Sequence, residues 1–419
     1  SVFHDFQSIV AKAERIYREL PANQRDAFFE LVLFPAKASA QVTELYVTVA
    51  KNRLCAAQGR ARANDLAAEA RALFAADASL SADYNHTLAG GKWDHMMDQT
   101  HIGYTSWNEP PQNTMPAVRQ LELSGPARMG VAVEGSADAW PGSPAPAALP
   151  RFDAFRRQSE FIDVFNRGRD SFAFSASASA PWIVLSASRG LVKKERRLWV
   201  SIDWSKAPRG SASGSIEISS PAGRHVAIAV PIWNPQQSTR ASLDGFVESD
   251  GYVSIESIHY TAKIDTPAAR WEAIDDLGRT LSSMSVFPVT SSSLTPPLSP
   301  RLEYRMYLFS PKQVQVEAIL APTLNFVPGR GLRYAISFDD QPPQVIDALA
   351  HNSVQDWSIA VEDSVRKSVS RHSLSGSGYH VLKFWMVDPG LVLQKLVVDL
   401  GGVRPSYLGP PESFFRFSK

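Results

Sequence analysis

Proline placement constrains this chain more than any other feature. Of its 29 prolines, only Pro21 and Pro35 precede residue 110. A proline inside a helix costs roughly 3 kcal/mol, so the chain should divide into a helical opening and a remainder of loops and strands. All ten tryptophans, from Trp93 onward, fall outside the helical opening. Within residues 1–89 the apolar spacing is helical. Phe6, Ile9, Val10, Ala13, Ile16, Tyr17 and Leu20 recur at three and four until Pro21 intervenes. Asn23 is expected to cap a second helix carrying Phe28, Phe29, Leu31, Val32 and Leu33, kinked at Pro35. The pattern resumes at Val42, Leu45, Tyr46 and Val49, and again over 63–76. Ser81 then precedes a short polar helix before Gly90-Gly91. The spacing predicts an antiparallel bundle of four or five helices over 1–128, with a polar-aromatic loop at 90–115.

Residues 129–149 are rich in Gly, Pro, Ser and Ala, as in Ser143-Pro144-Ala145-Pro146, and are expected to form a linker. Beyond them apolar residues alternate: Phe172 and Phe174, then Leu198, Val200 and Ile202, then Ile216 and Ile218, then Val226, Ile228, Val230 and Ile232. This predicts a small immunoglobulin-like β-sandwich over 150–238. A longer set, from Tyr252 to Leu400, predicts a C-terminal β-sandwich over 239–419. The expected fold class is therefore multidomain α plus all-β, an N-terminal antiparallel helical bundle followed by two β-sandwich domains.

Charge narrows the partners. With 43 Lys+Arg against 42 Asp+Glu, the net charge of +1 offers no bulk field for nucleic acid or an anionic membrane. No run of eighteen apolar residues is present to span a bilayer. Cys55 is the single cysteine, which excludes an internal disulfide and any Cys-based zinc or iron–sulfur site. The chain opens in a helical pattern without an initiator Met or a signal segment, so it is expected to be the remainder of something longer.

The segment with the most chemistry runs from Gly90 to Trp107, with two histidines, two carboxylates and three aromatics. His95, Asp98 and His101 stand at i, i+3 and i+6. On a regular helix i+6 is rotated away from i and i+3, so metal binding is poor geometry and neither metal nor cofactor is expected. One reading is a loop packed in place by its own hydrogen bonds. The other is sugar contact, because aromatic faces beside polar donors suit carbohydrate hydroxyls. On that reading the substrate-binding candidates are His95, His101, Tyr104 and Trp107. The adjacent acids Asp275-Asp276, Asp339-Asp340 and Glu362-Asp363 are expected to be turn formers, since a glycosidase needs two carboxyls across a cleft. Neither a Gly-x-Ser-x-Gly elbow nor a phosphate-binding loop occurs. Gly329-Arg330-Gly331 reads as a hairpin signal and Lys193 to Arg197 as a solvated turn. Trp182, Trp204 and Trp385 lie in apolar strands, where core packing is the expected role.

These residues also carry a resemblance. Arg25-Asp26-Ala27-Phe28-Phe29-Glu30-Leu31, Pro35-Ala36-Lys37-Ala38-Ser39, Gly90 to Trp93 and Gln99 to Thr105 resemble the part of glycoside hydrolase family 115 that follows its catalytic barrel. Asp388-Pro389-Gly390, Val392-Leu393-Gln394-Lys395 and Ser406 to Ser413 resemble that family's C-terminal sandwich. The likeness runs over nearly the whole chain. It implies kinship with xylan α-1,2-glucuronidases, which invert as they remove 4-O-methyl-glucuronic acid from glucuronoxylan, and an exported, periplasmic or extracellular, parent. It also implies that the acid and base carboxylates sit on a barrel preceding residue 1, so no catalytic residue transfers to this chain.

Three readings follow. The first is a non-catalytic C-terminal portion, inactive alone, that supports the missing N-terminal barrel and contributes to a homodimer. The second is a free-standing carbohydrate-binding or surface-attachment protein using a sandwich platform. The third is a complete enzyme with its own site around His95, Asp98, His101 and Tyr104.

Overall fold

The computed structural model describes residues 2–105, 108–309 and 313–417. It divides into two compact units. The first comprises Ser1–Pro150, Ser159–Asp203 and Ser213–Pro231, and the second Arg151–Gln158, Trp204–Ala212 and Ile232–Lys419.

The first unit opens with helices α1 (Val2–Glu19), α2 (Ala22–Phe28), α3 (Phe34–Ala57) and α4 (Arg62–Ala82). Pro21, not Asn23, stands at the N-cap of α2 in an extended conformation, and no side chain caps that helix. Before Pro35 the backbone widens into a π turn, Phe29–Leu33, and Pro35 falls in the first turn of α3, where its missing N–H costs least. Ala63, Ala67 and Ala70 are fully buried along α4. Such small residues let α4 lie close against α3. The expected short polar helix after Ser81 is instead a continuation of α4 into a π turn, Asp83–Thr87, and a 3-10 turn, Leu88–Gly91.

An extended segment completes this bundle. Ile102, Met115 and Val118 pack with Leu45, Val49 and Ala70, while Leu121 packs with Cys55, Ala63 and Leu66. Buried Asn52 accepts from the Arg119 N–H and donates to its carbonyl, both at 2.8 Å. Asn64 treats Leu121 the same way, at 2.8 and 3.0 Å. Each amide side chain therefore acts as a local substitute for a neighbouring strand.

The expected linker at 129–149 is corrected by the structure. Met129–Val133 is a fully buried strand paired antiparallel with Glu160–Asn166, and Ala147–Ala148 pairs with His225–Asn234. The small sandwich therefore begins at 129 and not at 150. Gly130 is required where it stands, because a Cβ there would lie 2.3 Å from Phe165 Cε2. One sheet runs in the order Met129–Val133, Glu160–Asn166, Glu195–Ile202, Ile183–Leu185. The other runs Ala147–Ala148, His225–Asn234, Gly210–Ser219, Phe172–Ala178, Arg189–Val192.

The Lys193–Arg197 run is the exposed turn expected, leading into the strand Glu195–Ile202, and it also makes ion pairs. Lys194 pairs with Asp65 on α4. Arg197 holds Asp163 at 2.8 Å, and Arg60 takes the other Asp163 oxygen at 3.0 Å. The run ties the sandwich to the bundle within this unit.

The second unit is a larger sandwich. Its two sheets follow the orders Gln344–Asp347, Arg333–Phe338, Gly378–Met386, Arg301–Leu308, Gly245–Val247, Phe415–Arg416 and Arg270–Ile274, Ser283–Phe287, Val392–Asp399, Gln313–Leu320, Arg366–Ser373. Alternation puts Leu302, Tyr304, Met306 and Leu308 inward against Val314, Val316 and Ala318. Trp271, Tyr334 and Phe384 fill the centre, the last two stacked at 4.9 Å. The hydroxyls of the two core tyrosines are satisfied, Tyr304 donating to the Ser257 carbonyl at 2.7 Å and Tyr334 to Ser368 at 2.8 Å. A short helix, α5 (Val354–Glu362), is closed by a capping box between Ser353 and Asp356. Two stretches that are remote in sequence meet here. Lys395 donates to the Pro410 carbonyl at 3.1 Å and pairs with Glu256 at 2.9 Å, while Ser254 engages Ser413 and Pro410.

Candidate functional site

The loop after α4 is built on left-handed backbone. Ala89, Gly90 and Gly91 take φ of 51°, 67° and 80°, and His95 takes 66°. Three such residues in succession end the helix and turn the chain sharply. The helical spacing considered for His95, Asp98 and His101 therefore does not exist, and the two histidines point to different carboxylates.

Asn85, buried in the π turn, organises the first half of the loop. It donates to Asp98 Oδ1 at 2.7 Å and accepts from the Met97 N–H at 2.8 Å. Asp98 Oδ2 then meets His95 Nδ1 at 2.6 Å. The hydrogen bond to Asp98, and next the charge of Asp94, raise the pKa of exposed His95 above its ordinary value. Lys92 lies 4.9 Å over the half-buried ring of Trp93.

The second half is fixed by the bundle. His101 Nε2 meets Asp77 Oδ2 at 2.8 Å, and Nδ1 faces the Gln99 carbonyl at 3.0 Å. Asp77 is a buried carboxylate on α4. Asn113 accepts from the N–H groups of His101 and Ile102, and the Gly103 N–H donates to Tyr46 at 3.2 Å. Fully buried Ile102 anchors the turn in the core.

The result is a cleft of about 680 Å³ whose lining mixes apolar Phe34, Val42, Leu80 and Met97 with polar Ser39, Asp77, Thr100 and His101. Tyr104 stands on its rim, 45% exposed. Such a cleft offers ring faces and fixed donors to a polyhydroxylated ligand. Of the four candidates, His101 and Tyr104 line this cleft together. His95 belongs to the Asp94–Asp98 turn and is not among its lining residues, and Trp107 lies outside the described residues. Among the described residues no three His, Cys, Asp or Glu side chains converge as a metal site, and no helix is long and apolar enough to cross a membrane.

Sequence reasoning passed over Asp77 and Asn85. Asp77 was findable, because it falls in the buried stripe Ala63, Leu66, Ala70, Leu80, where a carboxylate must have a partner. Two of the paired acids, Asp276 and Asp339, sit at turns as expected, whereas Glu362 ends α5. Asp339, at φ 52°, accepts from the Val381 N–H at 2.8 Å and meets His380 at 2.8 Å, and Asp276 turns at φ 57°. Trp182 and Trp385 are buried, Trp385 donating to Ser337 at 2.9 Å, and Trp204 is half-buried.

Comparison with known proteins adds an independent line. Residues 245–412 match the model of the glycosyl hydrolase family 115 C-terminal domain, so the resemblance read from the sequence holds over that stretch. A search of curated protein sequences found no match. Among solved structures, the chain is similar to a family GH115 4-O-methyl-alpha-glucuronidase with specificity for decorated arabinogalactans. There the TM-score is 0.47 and the identity 14%, over 94% of this chain and 32% of that enzyme. It thus spans about a third of that relative's length. Weaker likenesses include the C-terminal family 6 carbohydrate-binding module of a laminarinase from Zobellia galactanivorans (TM-score 0.24, 9% identity, 35% of this chain and 98% of that one). Another is a family 35 carbohydrate-binding module from Clostridium thermocellum (TM-score 0.23, 15% identity, 35% and 96%).

Proposed function

We propose that this chain is the non-catalytic C-terminal part of a carbohydrate-active hydrolase of the xylan α-1,2-glucuronidase type, in which an N-terminal barrel performs the chemistry. The observation that carries this reading is the family match over residues 245–412. It is supported by the architecture of the described residues, in which helices form a bundle and strands form sandwich sheets. In this proposal the bundle and sandwiches support the barrel and contribute to a homodimer. The substrate is glucuronoxylan or its oligosaccharides, and the parent protein works in the periplasm or outside the cell.

The cleft beneath the 90–105 loop is the part of this chain that would meet sugar. Tyr104 offers an open ring, and His101, with both ring nitrogens engaged by Asp77 and the Gln99 carbonyl, keeps the floor of the cleft rigid beside it. In the enzyme that joins barrel and chain, Tyr104→Ala should lower kcat/KM on aldouronic acids at least tenfold while the melting temperature stays constant. Unchanged kcat/KM would remove the cleft from the proposal.

A further inference from the structure

The first unit holds a second cleft, of about 810 Å³, between α3 and α4 on one side and the outer face of the four-stranded sheet on the other. Its size falls within the range of about 300–1,000 Å³ typical of small-ligand sites. One aromatic residue lines its sheet side, and a second adjoins it on the same face of the sheet. Phe161 lines the cleft, and Trp199, its cross-strand partner, meets it edge to face at 5.8 Å. Trp199 keeps 48% of its surface open, whereas Trp140, Trp182, Trp271 and Trp385 are all buried. Arg197 covers one face of Phe161, its Cζ 3.5 Å from the ring centroid, so the open aromatic surface at this edge belongs to Trp199.

The polar lining is charged, with the carboxylates Glu44, Glu69, Glu134, Asp163 and Glu195 beside the cations Lys51, Arg60, Arg62 and Arg197. Arg62 pairs with Glu69 at 2.8 Å, Arg197 with Asp163 at 2.8 Å, and Arg60 with Asp163 and Glu195. Glu69, Glu195 and Arg197 remain 46%, 37% and 46% exposed, so their outer atoms can still donate or accept. An anionic ligand is disfavoured where carboxylates outnumber cations. A neutral ligand bearing many hydroxyls, with an apolar C–H face for the indole, can use the planar groups and the ring together.

We infer that this cleft is a binding site for a neutral pyranose chain, with Trp199 as its stacking platform and Arg197 and Glu195 as hydroxyl partners. The site is separate from the loop cleft at His101 and Tyr104, and its ligand class follows from its own side chains, independently of the family reading.

The test is calorimetric titration of the whole chain with xylohexaose and with cellohexaose. It is accompanied by ¹⁹F spectra of 5-fluorotryptophan-labelled protein, in which Trp199→Phe identifies the Trp199 resonance. Saturable binding of at least one probe, with a dissociation constant of about 1 mM or tighter, is expected, together with a shift of that resonance. In a Tyr104→Ala background, which removes any contribution of the loop cleft, Trp199→Ala should weaken the remaining binding at least tenfold at an unchanged melting temperature. Binding of neither probe, or binding untouched by Trp199→Ala, overturns the inference. Loss of binding in Tyr104→Ala alone also overturns it, and moves the sugar to the loop cleft, whose own proposal then stands.

Discussion

Arg60 Nη1 lies 3.0 Å from Asp163 Oδ2 between the helical bundle and the small sandwich, with the two side chains only 7% and 8% exposed. The guanidinium also rests 4.7 Å over Phe165 and donates to Gln58 at 2.6 Å. A buried ion of this kind is costly to leave unpaired and cheap to replace as a pair. Asp163→Ala, which strips both Arg60 and Arg197 of their shared partner, should destabilise the first unit by about 3 kcal/mol. The double change Arg60→Met with Asp163→Leu should recover most of that loss. Hydrogen exchange at amides 160–166 in the single and double variants reads the difference.

Asp153, in the second unit, is fully buried, and its Oδ2 has no hydrogen-bond partner. Burial, opposed by N–H donation from Phe155 and reinforced by Asp250, pushes its pKa from its ordinary 3.8 to about 7. Asp250 itself is held by Arg151 and Arg156, at 3.3 and 3.6 Å. The folded state therefore keeps the proton more tightly than the unfolded chain. This contribution to stability is complete below about pH 3.8, is lost as the pH rises, and is gone above about pH 7, a span equivalent to about 4 kcal/mol. Asp153→Asn keeps the acceptor for Phe155 and removes the titration. Its melting temperature should exceed the wild type at pH 8 and match it at pH 4. An offset that does not change with pH would contradict this account.

Lys395 and Glu256 form a second buried pair, 3% and 7% exposed, and Lys395 also ties down the Pro410 carbonyl. Lys395→Met removes one partner and releases the C-terminal strap. The expected loss is about 3 kcal/mol, with faster proteolytic cleavage between residues 403 and 412. Glu256→Gln, which retains an acceptor for Lys395 and Thr280, should cost less.

The His95 ring should titrate above the ordinary histidine value, because Asp98 and then Asp94 favour its charged form. In Asp98→Asn the midpoint should fall back toward it, as followed by proton NMR of the ring. The sign is fixed. A raised histidine favours the folded loop at acid pH, and that support fades as the pH passes through its folded-state value.

The helical opening was legible because proline punctuates so strongly, and the sandwich strands because Leu302–Leu308 and Val226–Ile232 alternate cleanly. Met129–Val133 was hidden for a physical reason. Its strand is buried on both faces, so it has no alternation, and Gly130 is there to admit the Phe165 ring, not to loosen the chain. The loop at 90–115 was legible from Gly90-Gly91, which with Ala89 take left-handed backbone, but the separate partners of His95 and His101 were not, because Asp77 lies on a different element. The ion pairs of exposed Lys194 and Arg197 were not legible because their partners, Asp65 and Asp163, lie far away in sequence. Contacts of that range leave no local trace.

The central claim is that the chemistry belongs to a barrel outside these residues. The most direct measurement is release of 4-O-methyl-glucuronic acid from aldouronic acids and glucuronoxylan, by this chain alone and by the same chain joined to a family 115 barrel. The account predicts no release by the chain alone, although circular dichroism shows it folded, and turnover by the joined protein that falls in Tyr104→Ala. Release by the chain alone, abolished by changing His101 or Asp98, would contradict it and place a catalytic site within these 419 residues.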